Sequence, residues 1–295
     1  MVSSKKIFNS YLKTNKSIYH LAKDFDISPQ RVQKIITNCC LDNMLNVSDN
    51  KKVRERVKNN AIILREKGSL YLSKNLFESV LEWDKTHNNY RGFIDVVGHL
   101  RIVYTLLAKR AKSTSSKKAY LQKAQSLMRE VLRKPSDNIP QHSINILKVH
   151  YASLLTNLAL LTTSKKERES LLKKAISTLK STIKDFPGSK AHLAWPLGNL
   201  AKNYYLLGEY DKAFYTAHLA EEKIYDGYLK EFYKDSQDAT IKFNVWLSKA
   251  VLLKALACKQ TKKDLLSKYY ARSVLSLKGP AYLLKDVRKE ARELI

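Results

Sequence analysis

The stretch LGNLAKNYYLLGEYDKAFYTAHLAEE, Leu197 to Glu222, restricts the fold more than any other part of the chain. Leu197, Leu200, Ala201 and Tyr204 recur at the spacing of one helical face, and Ala213, Ala217 and Ala220 do so again beyond the turn LGEYD. Alanine at 201 and 213 permits close approach of the two helices, and Tyr204, Leu207 and Tyr210 fill the space left between them. A helical hairpin of this kind cannot bury its apolar surface alone, so neighbours of the same design are expected.

They are present along the chain. AIILREKGSLYLSKNLFESVLEW carries Ala61, Leu64, Gly68, Phe77, Val80 and Leu81 at comparable spacing. KKAYLQKAQSLMREVLRKP runs through Ala124, Met128, Val131 and Leu132 to a stop at Pro135, and AISTLKSTIKDFP through Ala175, Leu179, Thr182 and Ile183 to Pro187. A last pair extends from Trp246, Ala250 and Leu253 across CKQTKKD to Tyr269, Ala271 and Val274, and after Gly279 the segment AYLLKDVRKEARELI predicts one more amphipathic helix. With only eight Gly and six Pro there is little punctuation for an all-β fold. These hairpins resemble the tetratricopeptide repeat. The resemblance implies a right-handed superhelix of about five helical hairpins plus a capping helix, with Gly68 and Gly208 in repeat turns. The turns of the second, third and last hairpins are expected to be lengthened.

The N-terminal part reads differently. In SIYHLAKDFDISPQRVQKIITN, Ser17 to Asn38, the residues Ile18, Leu21, Ala22 and Phe25 make one helical face and Val32, Ile35 and Ile36 a second. The break between them is short: Asp26 tolerates a left-handed turn, Ile27 plugs the corner, Ser28 can cap the next helix and Pro29 suits its first turn. A preceding helix places Ile7, Phe8, Tyr11 and Leu12 on one face. The spacing resembles the helix-turn-helix of DNA-binding proteins, with Ala22 as the small residue where the helices cross. The predicted organisation is all-α: a trihelical helix-turn-helix over residues 1–45, a linker over 46–52 where DNMLNVSD breaks the pattern, and a tetratricopeptide-like repeat domain over 53–295.

In such a motif the second helix presents its N-terminal residues to base edges in the major groove. The outward positions read from the sequence are Ser28, Pro29, Gln30, Arg31, Gln33, Lys34, Thr37 and Asn38. Arg31 suits guanine and Gln30 or Gln33 adenine, and no carboxylate lies between Ile27 and Cys40. Lys5, Lys6, Lys16 and Ser17 are placed for phosphates. The basic run Lys109, Arg110, Lys112, Lys117 and Lys118 is a second phosphate-binding candidate, joined along one edge of the solenoid by SKKER at 164–168 and KQTKK at 259–263.

The formal charge of +27, from 54 Lys and Arg against 27 Asp and Glu, favours a polyanionic partner. Cys39 and Cys40 are adjacent and Cys258 is left over, a pattern of reduced thiols rather than of a disulfide scaffold. No metal-ligand spacing surrounds them, and His20, His87, His99, His142, His150, His192 and His218 are scattered without a nucleophile nearby. No glycine-rich phosphate loop is present, so no enzyme and no cofactor is expected. No signal peptide and no apolar run of membrane-spanning length is evident, so a cytoplasmic, nucleoid-associated protein is expected, without a membrane partner.

The expected function is a sequence-specific DNA-binding transcriptional regulator, resembling the bacterial and phage regulators that join a helix-turn-helix to tetratricopeptide repeats. That resemblance implies double-stranded DNA as partner, a homodimer built by the repeats, and a peptide or protein ligand in the repeat groove near Asn199, Lys202 and Tyr205. The alternative is a non-catalytic scaffold of phage or plasmid machinery that holds nucleic acid by charge and a protein partner by its repeats.

Overall fold

Scarce glycine and proline leave long helical runs uninterrupted, and helix packs on helix throughout. The structure, a computed structural model of the 295-residue chain, describes residues 3–14, 16–41, 51–133, 140–185, 190–232, 236–277 and 281–295. Three short helices come first, α1 (Ser4–Lys13), α2 (Ile18–Asp24) and α3 (Pro29–Leu41). Five antiparallel hairpins follow: α4 (Lys51–Glu66) with α5 (Leu70–Thr86), α6 (Tyr90–Arg110) with α7 (Thr114–Arg133), α8 (Gln141–Leu160) with α9 (Lys165–Lys184), α10 (Ala194–Leu206) with α11 (Tyr210–Phe232), and α12 (Ser236–Gln260) with α13 (Asp264–Ser276). A single helix, α14 (Ala281–Arg292), packs on α12 and α13 through Leu284, Val287 and Ala291. Among the described residues there is no strand, so the chain is all-α, a helix-turn-helix head followed by helical repeats.

The hairpins share one crossing. Ser73 Oγ donates to the Ala61 carbonyl at 2.7 Å and Ser267 Oγ to the Ala255 carbonyl at 2.9 Å, each pair spanning the two helices of a hairpin. Ala201 and Ala213, fully buried, occupy the same spacing in the fourth hairpin. Only a small side chain fits there, and a hydroxyl is accepted because the facing carbonyl satisfies it. Gly68 (φ 79°) and Gly208 (φ 81°) sit in the turns after α4 and α10, in the left-handed region that glycine enters without penalty.

The expectation of lengthened turns is overturned. Only residues 111–113 separate α6 from α7, 161–164 separate α8 from α9, and 261–263 separate α12 from α13. The polar runs continue the helices instead, because lysine, arginine and glutamine are good helix formers on a solvated face. Asp42 to Asp49, Lys134, Pro135, Pro187 and Gly279 lie outside the described residues, as do the side chains of Leu12 and Cys40.

The helices gather into two compact units, residues 1–138 and 139–295. The first buries Phe8, Leu21, Val32 and Ile36 in the head and Phe77, Val80, Trp83, Phe93 and Leu100 in the hairpins. The second has a core of Ala194, Leu197, Ala220, Ile224, Phe243, Ala255, Val274 and Val287. No described helix is long and apolar enough to cross a membrane.

Candidate nucleic-acid interface

Helix α2 starts where Ser17 Oγ accepts the backbone N–H of His20 at 3.3 Å. It ends in a left-handed residue, Asp26 (φ 48°), after which the Ile27 N–H reaches back to the Ala22 carbonyl at 3.0 Å. Ser28 Oγ then accepts the Arg31 N–H at 3.2 Å and Pro29 opens α3. The turn is thus built as its residues dictate. Leu21 and Ala22 of α2 and Val32, Ile36 and Cys39 of α3 are buried between the helices of the head.

Helix α3 has a third face, which apolar spacing does not reveal. It packs against α5 as well as α1 and α2, and the side turned toward α5 carries Gln33, 4% exposed, and Thr37, 2% exposed. The reading of these two as outward, base-reading positions is therefore corrected. Thr37 Oγ1 returns its hydrogen bond to the Gln33 carbonyl at 2.9 Å, and the Gln33 carboxamide has no partner among the described residues. Arg31, Lys34 and Asn38 form the exposed stripe of α3, with Ser28 and Gln30 exposed at its start. Neither Arg31 nor Lys34 has an ion pair among the described residues, so their charges face outward unneutralised. Asp24, at the end of α2, is offset by Lys16 at 2.8 Å.

The head is fastened to the first hairpin by groups the sequence reading did not single out. Arg56 of α4 donates from Nη2 to the Lys16 carbonyl at 2.9 Å and lies 4.6 Å from the centre of the Tyr11 ring. The Tyr11 hydroxyl, on a side chain 1% exposed, meets the Arg56 carbonyl at 3.4 Å and accepts from Asn60 Nδ2. Lys67 lies 4.7 Å from the Tyr19 ring centre. These partners are more than forty residues apart in sequence, and no local pattern announces them.

Beneath this junction is a buried ion pair. Arg54 of α4 donates from Nε to Asp84 Oδ1 at 3.0 Å and from Nη2 to Oδ2 at 2.6 Å, with the two side chains 2% and 0% exposed. Asn89, which caps α6 by accepting the Gly92 N–H, donates to the same carboxylate. Burial raises the Asp84 carboxyl above its ordinary range, against the pull of Arg54 and Asn89. One face of α4 and α6 is polar: Lys58 pairs with Asp95 at 2.8 Å and Arg65 Nη1 meets His99 Nδ1 at 2.9 Å. Burial first, and then the neighbouring Arg65, lowers Arg101 to about 10.

The remaining predicted residues are dispersed. Lys5 and Lys6 are exposed on α1, and Lys16 and Ser17 are exposed before α2. Lys109 and Lys112 are exposed, and Arg110 bonds the Gly68 carbonyl at 2.8 Å, clasping the turn after α4. Lys117 and Lys118 are half-buried in the first turns of α7. In the second unit, Lys202 is exposed and Asn199 spends its Nδ2 on the Trp195 carbonyl at 3.1 Å. Tyr205 is half-buried, with its ring 5.6 Å from that of Tyr210. Among the described residues, no group of three or more His, Cys, Asp or Glu is placed to hold a metal ion.

No family model and no curated protein matches the chain. Among solved structures it is similar to BtubC (BKLC) from P. vanneervenii, at 14% identity, covering 99% of this chain and 93% of that one with a TM-score of 0.47. It is also similar to Bacillus thuringiensis PlcR in complex with the peptide PapR7 and DNA, at 10% identity, covering 96% and 85% with a TM-score of 0.49.

Proposed function

We propose that the chain is a DNA-binding regulator whose head, residues 1–45, reads sequence with α3 and whose repeats, beyond 46–52, provide dimerisation and a partner-binding surface. The observation that carries this reading is the exposed stripe Arg31, Lys34 and Asn38, cationic and polar, on the second helix of a tight helix-turn-helix. Arg31 is suited to a guanine edge, Asn38 and Gln30 to adenine, and Lys34 to a base or a phosphate. Lys5, Lys6, Lys16 and Ser17 would hold the backbone, and Lys109 and Lys112 extend the positive surface of the first unit. One head spans a short half-site, so a pair of chains is required for a useful site. The repeats can supply that contact, and Asn199, Lys202 and Tyr205 are the proposed positions for a peptide or protein ligand.

Competition binding tests the reading. Duplexes are selected from a random pool, and the selected duplex is then challenged with excess random DNA. The wild-type chain should keep the selected duplex, and Arg31→Ala with Lys34→Ala should lose about 1–3 kcal/mol of discrimination for each base contact removed. Selectivity left intact by the double substitution would sink the assignment of α3. Binding without any selectivity, collapsing steeply with salt, would identify a charge-driven scaffold instead.

A further inference from the structure

We propose that the cleft between the head and the first hairpin is a binding site for an adenine nucleoside or nucleotide. The cleft measures about 330 Å³, within the range of small-ligand sites. Ile18 and Pro29 of the head line it on one side, and Ile63 and Leu72 of α4 and α5 on the other. Its buried end is formed by Gln33, 4% exposed, whose carboxamide oxygen and nitrogen both lack a partner among the described residues. An uncompensated amide of this kind is a standing cost of the fold that a complementary ligand removes.

The chemistry of the carboxamide selects the ligand. It offers one acceptor and one donor in a plane, the complement of the adenine edge formed by the exocyclic amine and a ring nitrogen. Guanine's paired acceptors call for arginine or lysine and cytosine's amine for a carboxylate, and the buried end of the cleft holds neither. Aliphatic walls suit the faces of a purine. Lys67 stands at the exposed end beside Tyr19, 60% exposed, where a phosphate on the ligand would meet a cation. An occupant bears on Gln30 and Gln33 of α3 and on α4 together. Its effect on DNA affinity rests on the function proposed above, whereas its binding does not.

The test is calorimetric titration of the full chain, without DNA, by adenosine, AMP and purine riboside, which lacks the exocyclic amine. Adenosine should bind saturably at one site per chain with a millimolar or tighter Kd, and purine riboside about tenfold or more weakly. Gln33→Leu should abolish this preference while leaving the melting temperature unchanged or raised, since it removes an unpaired amide. Leu72→Trp, which fills the cleft from its apolar side, should abolish binding by a route independent of Gln33. Lys67→Ala weakening AMP alone identifies a nucleotide, and weakening neither ligand identifies the nucleoside. No saturable heat from adenosine or AMP up to about 5 mM, equal affinity for purine riboside, or wild-type binding by Gln33→Leu overturns the proposal. Because no DNA is present, failure here leaves the DNA-reading proposal standing, and the converse holds.

Discussion

The pair Arg54–Asp84 gives the sharpest energetic test of the platform on which the head rests. Asp84→Ala removes the bidentate partner and leaves a guanidinium that is 2% exposed with Glu55, itself half-exposed, as its remaining carboxylate. Stranding a buried charge in this way costs about 3–5 kcal/mol, a large share of the roughly 5–15 kcal/mol that holds a domain folded. For a unit of this size that corresponds to a fall in Tm of about 10–20 °C. Removing both charges, with Arg54→Met and Asp84→Leu, should recover most of the loss, because the desolvation of each ion disappears with it. Trp83, adjacent to the pair and 1% exposed, reports on the first unit once Trp195→Phe and Trp246→Phe silence the second. Urea unfolding followed by Trp83 fluorescence then gives the cycle directly. A loss below about 1 kcal/mol for Asp84→Ala, or a double variant as unstable as the single, would refute the view that an uncompensated buried charge is what destabilises the single variant.

Two further outcomes follow from the geometry. His99 accepts from Arg65 at Nδ1 and is held below its ordinary pKa by burial and then by Arg65, Lys58 and Arg101, with Asp95 pulling the other way. The unfolded chain therefore binds this proton more readily, so the contribution of His99 is present above pH of about 6.5 and is lost as pH falls through the depressed folded value. His99→Gln should flatten the stability profile of the first unit between about pH 5 and 7.5, and an unchanged slope would remove His99 from the account. In the second unit, Gly227→Ala would place a methyl carbon 2.5 Å from the Ala191 nitrogen and 2.9 Å from its Cα. Backbone cannot swing aside as a side chain can, so a loss of about 1–3 kcal/mol is expected in a thermal melt. A melt superimposable on the wild type would show that α11 has slack at this crossing.

Periodic apolar spacing made the helical hairpins and the final helix legible, because each hairpin is a local unit whose faces repeat within about twenty residues. Asp26, Ser28 and Pro29 likewise declared a turn that the structure contains, since capping and left-handed backbone are properties of single residues. What the sequence hid is long-range. Gln33 and Thr37 look like solvent positions in a two-sided helix, and only the arrival of α5, some thirty residues later, covers them. Arg54 and Asp84 sit among many charged residues with nothing to mark them as buried partners. Helix ends were missed where glycine was absent: Asn88 (φ 52°) and Lys262 (φ 58°) take the left-handed turns after α5 and α12.

The clasp of Tyr11 by Arg56 and Asn60 bears on how the molecule can be cut and recombined. A graft that ended at residue 45 would carry away a phenol and a carboxamide, at Tyr11 and Gln33, whose cover remains behind on α4 and α5. The smallest transplantable piece is the head together with its first hairpin. Any chimera that exchanges reading heads among repeat scaffolds needs its splice after Thr86, where a helix end rather than a packed face meets the joint.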